Sequence, residues 1–421
     1  MRFSTLAQWL SWQEGLHGQA IDLGLDRVRT VLARLHPQPP AYPIITVGGT
    51  NGKGSCVAML DAIYRAAGYR VGAYTSPHLL RYNERIRIDG LEIGDDALMA
   101  AFARVDDARG GVSLTYFEFG TLAALVLFGE AEPDVVVLEV GLGGRLDAVN
   151  VVDADVAVIT SIGLDHCDWL GNDLESIGRE KAGIARAGRP LVCGEPAPPL
   201  SIGETAGRIG AKAYMLGRDF GHETADGQWR WWSEHRIRHA LPLPALRGVN
   251  QLRNGAAALM AVELMSPRLP VAVADIRAGL GDVTLAGRFQ VLPGKVPLIA
   301  DVAHNPQAAA ALAQNLAAGA TPGRTLAIVA MMADKDIVGT LSPLLNEVDD
   351  WSVTTVTAPR AASAAMVADA LIGLGRQPRC YASVALALDA ACRDAGDHDR
   401  IVVFGSFYTV ADALRAYNAG H

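Results

Sequence analysis

The chain has 421 residues, 50% of them hydrophobic and 19% charged, with a formal net charge of −8. Such a composition excludes a disordered polymer, and the length exceeds what one hydrophobic core serves (roughly 150 residues per domain), so two or three domains are expected. The negative balance excludes a protein built mainly to hold nucleic acid, yet it admits an anionic small substrate, which needs only a few local cations or a helix N-terminus.

The amino-terminal stretch MRFSTLAQWLSWQEGL places Leu6, Trp9, Leu10 and Trp12 near helical spacing. It lacks the apolar block and small-residue cleavage site of a secretion signal. No apolar run reaches the ~20 residues of a membrane helix. Cys56, Cys167, Cys193, Cys380 and Cys392 are scattered and form no CxxC pair. They read as small buried hydrophobes in a reducing compartment, with no disulfide or zinc. A soluble, cytoplasmic protein is expected.

After this helical entry, PIITVG (43–48) reads as a buried strand, followed by a glycine-rich turn and a helix from Lys53 to about Ala67 that stops at Gly68. YRVGAYTS (69–76) is a second strand, and helical patches follow near 95–108 and 117–130. DVVVLEV (134–140) and DVAVITSI (155–162) are continuous β-branched runs, suited to parallel strands covered on both faces. Strands alternating with helices predict an open, mostly parallel α/β sheet with its site at the strands' carboxyl ends. Residues 213–245 change character, with Trp229, Trp231 and Trp232 together in a polar stretch that suggests an antiparallel excursion. Helices resume at 249–264 and 273–281. From residue 288 the alternation restarts in VPLIADVA, TLAIVAMM, WSVTTVT and RIVVFGSF. The expected division is therefore an amino-terminal domain over 1–287 and a smaller Rossmann-like α/β domain over 288–421, with the join near Leu285–Arg288.

The strongest local signal is GGTNGKGS (48–55), set between a strand and a helix. Glycines let the backbone curl until its N–H groups and the helix N-terminus face phosphate oxygens, while a lysine reaches the outer phosphates. The strict GxxxxGK[ST] pattern fails, because Val47 stands at its first glycine and Gly54 separates Lys53 from Ser55. The competing reading is a turn of small residues that caps a helix. Glu139 ends the VVVLEV strand, where a carboxylate beside a phosphate loop suits Mg²⁺, unless it is merely a surface acid at a strand end. His166 follows the next strand in the same way, and by itself it is as readily a structural histidine as a ligand.

Taken together, TVGGTNGKGS (46–55), YTSPHL (74–79), NERIRI (83–88), LEVGLGGRLDAVN (138–150), TSIGLDH (160–166), SIGREKAGI (176–184), DVAHNP (301–306) and FGSFYT (404–409) resemble the Mur ligase superfamily and, within it, the folylpolyglutamate synthases. The family's own loop carries the extra glycine that broke the strict pattern. The resemblance implies ATP binding by Thr50, Asn51, Gly52, Lys53, Gly54, Ser55, Asn250, Arg288 and Asp301, and Mg²⁺ held by Ser55, Ser76, Glu139 and His166. Lys181 looks like the family's carbamylated lysine, a modification that turns a repelled ammonium into a carboxylate-like group. Lys53, Lys181 and His304 would be the catalytic residues, with His304, Ser406 and Tyr408 near an incoming glutamate.

AIDLGLDRV (20–28) and SLTYFEFGT (113–121) further resemble pterin-binding elements of the bacterial bifunctional dihydrofolate synthase/folylpolyglutamate synthases. Ala20, Ile21, Asp22, Leu23, Thr115, Leu146, Asp147 and Ala148 would contact pteroate, with Tyr116 or Phe117 stacking on it. The implied reaction phosphorylates the carboxylate of 7,8-dihydropteroate, or of a tetrahydrofolate glutamate, with ATP. The acyl phosphate is then attacked by the amine of L-glutamate. The resemblance favours a monomer acting on small molecules, without nucleic acid or membrane. The alternatives are a Mur-type ligase acting on a UDP-sugar precursor and a P-loop NTPase that is not a ligase.

Overall fold

The computed structural model describes residues 2–36, 38–225 and 227–420. The chain divides into two compact units, one of residues 1–245 with 252–283, the other of residues 246–251 with 284–421. The boundary expected after residue 287 lies just past this division.

The first unit opens with helices α1 (Leu6–Glu14) and α2 (Asp26–Leu35) and then winds a sheet in the predicted alternation. Strand β1 (Ile44–Gly48) leads into α3 (Lys53–Ala66), and β2 (Val71–Tyr74) leads through β3 (Ile86–Ile88) and β4 (Leu91–Glu92) to α4 (Asp95–Arg109) and α5 (Tyr116–Ala131). Strands β5 (Val135–Glu139) and β6 (Val156–Ile159) precede the short α6 (Cys167–Leu170) and α7 (Leu174–Ala182). Then come β7 (Pro190–Cys193), α8 (Leu200–Ile209) and β8 (Lys212–Met215). The eight strands run in the order β4-β3-β2-β5-β1-β6-β7-β8, and six of them are parallel. Only β3 and β4 pair antiparallel, as an edge. They were not legible as strands, because pieces of two or three residues carry no period of their own. Every residue of β1, β2, β5 and β6 is buried, as strands covered on both faces require.

A three-stranded antiparallel sheet follows, β9 (Phe220–Ala225), β10 (Gln228–Ser233) and β11 (Ile237–Pro242), in the order β11-β10-β9. Its tryptophans obey the two-residue period: Trp229 and Trp231 are buried and donate their indole N–H groups to Pro242 and Ala256 carbonyls, at 2.7 and 3.1 Å. Helices α9 (Gln251–Met265) and α10 (Val273–Asp282) complete this part. Helix α10 lies on α3 at Gly279, where a Cβ would come within 2.5 Å of the Ile63 Cα; only glycine permits that approach.

The second unit is a six-stranded sheet in the order β12-β13-β17-β14-β15-β16, parallel except for the edge strand β12. In chain order its elements are β12 (Gln290–Leu292), β13 (Leu298–Ala300), α11 (Pro306–Ala318), β14 (Thr325–Val329), α12 (Ile337–Leu341), β15 (Asp350–Val353), α13 (Ala364–Gly373), β16 (Arg379–Cys380), α14 (Val384–Asp394), β17 (Arg400–Phe404) and α15 (Phe407–Gly420). Two separate apolar clusters cover its faces, one around Trp351 and Phe404, the other around Ile328 and Val403.

Candidate active site

Strand register assembles the first site. Val47 of β1 lies opposite Glu139 of β5, Tyr74 of β2 opposite Leu138, and Gly48 opposite Ile159 of β6. Four neighbouring parallel strands thus end together, and each hands the chain to one of the motifs: the glycine loop, Ser76, Glu139, and the segment running to His166.

The glycine loop is fastened to the segment after β6. Thr50 N–H donates to the Ser161 carbonyl at 2.8 Å, Asn51 N–H to Ser161 Oγ at 3.0 Å, and Thr160 Oγ1 to the Asn51 carbonyl at 2.6 Å. Gly49 and Gly52 take φ of +142° and +85°, and a Cβ on Gly49 would lie 2.1 Å from Thr160 Oγ1. Two glycines therefore have a stated steric reason, and α3 starts at Gly52 with no side-chain cap. A helix N-terminus set behind such a loop suits an anion.

Two lysines meet on this loop. Lys53 Nζ donates to the Gly49 and Thr50 carbonyls, both at 3.1 Å, and Lys181 Nζ donates to the same Gly49 carbonyl at 3.0 Å. Lys181 is enclosed, only 4% exposed. Burial, then the neighbouring Lys53 charge, lowers its amine to about 7, against the pull of Asp165 and Asp147. Helix α7 reaches this place because Gly144 and Gly183 let it press on the 141–150 segment: a Cβ on Gly144 would lie 2.8 Å from the Glu180 carbonyl, and one on Gly183 2.3 Å from the Arg145 Cβ.

Glu139 is buried, and its Oε2 accepts from Ser76 N–H at 3.1 Å. Ser55 is buried in the first turn of α3. His166 is exposed, in a left-handed conformation with φ of +52°. Among the described residues no three His, Cys, Asp or Glu side chains converge as a closed metal cage. The donors here are one enclosed carboxylate, two serine hydroxyls and one imidazole. That mostly hard, oxygen-rich set fits a cation of the Mg²⁺ kind, which takes few protein ligands and completes its shell with phosphate and water.

The residues expected at a pterin form a second group in this unit. Thr115 caps α5: its Oγ1 accepts from Glu118 N–H at 3.2 Å while Glu118 Oε2 accepts from Thr115 N–H at 2.8 Å. Asp147 is buried, with Oδ2 accepting from Leu142 N–H and Oδ1 from Val149 N–H, at 2.8 and 3.0 Å. Burial pushes its carboxyl up to about 7, opposed by those amides and by Lys53. Asp22 does not cap α2, whose N-cap is Leu25; its carboxylate pairs with Arg27 and His17. Ala20 is exposed, Ile21, Leu23 and Leu146 are half-buried, and Ala148 is buried. The Phe117 ring lies 6.0 Å from that of Tyr74, over Gly141, where a Cβ would strike it at 2.5 Å.

In the second unit, Asp301 at the end of β13 accepts from Phe289 N–H and Ala303 N–H, both at 2.8 Å. Burial raises its carboxyl, with Arg288 pulling the other way. The Arg288 guanidinium lies 5.1 Å from the centre of the Phe407 ring, and the His304 ring sits 6.2 Å from the same phenyl. His304 Nδ1 is 2.7 Å from the Val302 carbonyl. Asn250 falls in the 246–251 segment that clusters with this unit. Ser406 is buried, and its Oγ accepts from Thr409 N–H at 3.0 Å, so its hydroxyl caps α15; Tyr408 is half exposed. Phe407, on which two expected site residues rest, was not singled out from the sequence, although it stands between Ser406 and Tyr408. Arg27 and Glu118 were missed as well; the Thr115-x-x-Glu118 spacing was a readable capping signal.

Comparison with known proteins gives a consistent result. Residues 47–190 match the Mur ligase middle domain and residues 287–407 the Mur ligase, glutamate ligase domain. A dihydrofolate synthase/folylpolyglutamate synthase of Escherichia coli (strain K12) is 48% identical over 416 residues, covering 99% of this chain and 96% of its own. Among solved structures, Escherichia coli FolC in complex with DHPP and ADP superposes with a TM-score of 0.95 at 47% identity, over 99% of this chain and 98% of that one. A bifunctional folylpolyglutamate synthase/dihydrofolate synthase with Mn, AMPPNP and L-glutamate bound gives 0.92 at 47%, over 99% and 98%.

Proposed function

The chain belongs to the dihydrofolate synthase/folylpolyglutamate synthase family within the Mur ligases, and from that premise we propose which of its residues carry each step. It is an ATP-dependent ligase that joins L-glutamate to a folate-type carboxylate. The alternatives of a UDP-sugar substrate or an uncoupled NTPase lose ground to relatives that match along the whole chain.

Residues 1–287 form the ATP- and pterin-binding domain and 288–421 the glutamate-ligase domain. The glycine loop and the first turn of α3 receive the phosphates of ATP, with Thr50 to Ser55 lining them and Lys53 leaving the loop carbonyls to meet the outer phosphates. Glu139, the Ser55 and Ser76 hydroxyls and His166 would hold a divalent cation, whose chemistry there is to draw charge from the phosphate oxygens. Asn250, Arg288 and Asp301 are the residues of the second unit assigned to ATP. Asp22, Thr115 and Asp147, with Ala20, Ile21, Leu23, Leu146 and Ala148, orient the pterin end of 7,8-dihydropteroate or of a tetrahydrofolate glutamate. The substrate carboxylate attacks the γ-phosphorus and ADP leaves. The amine of glutamate, held near His304 and Tyr408, then displaces phosphate from the acyl carbon and loses a proton. No protein nucleophile is needed, so positioning and offset of charge account for the rate.

Lys181 carries a carbamate in the working enzyme. The observation that supports this is its enclosed amine, facing Lys53 across one carbonyl and lowered to about 7. A neutral amine attacks CO₂; a C–N bond forms, a proton leaves, and the anion then pairs with Lys53 instead of repelling it. A cytoplasmic setting and a monomeric working unit complete the reading; all five cysteines are free thiols, as a reducing compartment requires.

The deciding assay is ADP release with ATP, Mg²⁺ and L-glutamate, with dihydropteroate, tetrahydrofolate or a UDP-muramyl peptide supplied in turn. Turnover with the first two and none with the third is the expected result; the reverse pattern overturns the folate assignment.

A further inference from the structure

One cation in the first unit holds together two segments that are far apart in sequence. Arg27, at the start of α2, donates from Nη1 to Asp22 Oδ2 and from Nη2 to the Asp22 carbonyl, both at 2.6 Å. From Nη2 and Nε it also donates to Glu118 Oε1, at 3.0 and 3.2 Å. Glu118 is buried, and its other oxygen takes the Thr115 N–H. A buried carboxylate without a cation would be costly, so Arg27 is what makes this cap tenable. His17 closes the ring: its Nε2 lies 3.1 Å from Asp22 Oδ2 and its Nδ1 2.7 Å from Ser113 Oγ, which donates to the Leu16 carbonyl at 3.1 Å.

The asymmetry at Asp22 is informative. Both partners, the Arg27 guanidinium and the His17 ring, lie on Oδ2, while Oδ1 has no hydrogen bond among the described residues and the side chain remains 35% exposed. A purely structural ion pair of an arginine fork with a carboxylate tends to use both oxygens. Here the fork takes one oxygen and the backbone carbonyl, which fixes the carboxylate's rotation and leaves Oδ1 unused among the described residues.

We propose that Arg27 is a positioning residue for the folate-type substrate: it locks Asp22 and, through Glu118, Thr115 into one frame, so that Asp22 Oδ1 is presented to an N–H donor of the substrate's heterocycle. The inference rests on the assignment of Asp22 and Thr115 to that substrate. Arg27 itself touches no substrate; it acts through its two carboxylates. A lysine cannot replace it, because a single ammonium cannot fork between a carboxylate, a carbonyl and a second carboxylate.

The experiment is a double-mutant cycle in the full-length enzyme, reading KM and kcat for dihydropteroate, ATP and glutamate. Arg27→Gln and Asp22→Ala should each raise the dihydropteroate KM by about tenfold, the size expected for a lost charge-assisted hydrogen bond, and leave the other two constants within about twofold. The double variant should be no worse than the poorer single one, since one residue works through the other. Arg27→Lys keeps a charge beside Glu118, so it should fold even where Arg27→Gln does not, and it should still show the raised dihydropteroate KM. Multiplying effects in the double variant, or equal losses for all three substrates, would overturn the positioning role. An unchanged dihydropteroate KM in both Arg27 variants, with Asp22→Ala still impaired, would sink the clamp and leave the substrate assignment standing. If Asp22→Ala is also silent, it is the assignment itself that falls.

Discussion

The two units present their charges in opposite ways. In the first, Lys181, Glu139 and Asp147 are enclosed where parallel strands end, and burial has moved Lys181 and Asp147 toward neutrality, each to about 7. In the second, Arg288 and His304 lie half-buried beside the Phe407 ring, Tyr408 is exposed, and the Asp301 carboxylate is tied down by two backbone amides. The first arrangement holds charges at a cost from burial that neighbouring groups offset in part. The second costs the fold little. Removing the enclosed Lys181 charge from the first unit should therefore stabilise it while ending activity, whereas removing the Arg288 charge from the second should affect activity alone.

The largest effect is expected at Lys53. Lys53→Ala should lower kcat by about 10³-fold, because it deletes the cation proposed to meet the transferring phosphate, with little change in the thermal midpoint. Near-wild-type turnover at saturating ATP would break the reading of the loop.

Lys181→Met tests the comparison itself. Activity should fall by about 10²-fold or more, while in CO₂-free, metal-free buffer the protein gains about 1–2 kcal/mol of stability at pH 7. The sign follows from the lowered amine. Between about 7 and the ordinary 10.5 the unfolded chain holds a proton that the folded chain lacks, so wild-type stability rises with pH across that window. The penalty is full below 7 and gone above 10.5. The advantage of the variant should therefore be greatest at or below pH 7 and vanish toward 10.5, as chemical denaturation at several pH values would show. A Met variant less stable than wild type at pH 7 would mean that the enclosed amine is already compensated. Arg288→Met is the control from the other unit: slower turnover, with no gain in stability at any pH.

Gly49→Ala is expected to act mainly on the fold. With φ of +142° and Thr160 Oγ1 in the path of the Cβ, an alanine should cost about 2–3 kcal/mol and drag activity down by shifting the carbonyl that both lysines share. An unfolding midpoint equal to wild type would show that the loop adapts more freely than its hydrogen bonds to Thr160 and Ser161 imply.

Legibility followed the range of the interaction. The glycine loop, Glu139 at a strand end and the alternation of buried strands are local patterns, and they stand in the structure where the residues put them. The pairing of Lys181 with the Gly49 carbonyl spans 132 positions, and Arg27 meets Glu118 across 91; no periodicity reports such meetings. The edge strands β3, β4 and β12 were invisible for a different reason: two or three residues paired by neighbours need no propensity of their own. Ser406 shows how a motif can hide a division of labour, since its hydroxyl caps α15 while the phenol beside it, on Tyr408, is exposed.

The smallest effect should come from Phe407, which makes it the sharpest probe of the second unit. Its ring lies beside both the Arg288 guanidinium and the His304 imidazole, so it supports two groups assigned to different substrates. A cation over a phenyl at a half-exposed position contributes roughly 0.5–1 kcal/mol, and an aromatic contact about as much. Phe407→Ala should therefore raise the KM values for ATP and glutamate together, each by about two- to fivefold. Phe407→Tyr keeps the ring face and should restore both. Stability should move little, because Phe407 opens α15 at its first turn and is only half-buried. Movement of one constant without the other would separate Arg288 from His304 and show that the phenyl organises a single subsite. If both KM values held steady while the midpoint fell by several degrees, Phe407 would belong to the core, and the second unit would depend on burial as much as the first.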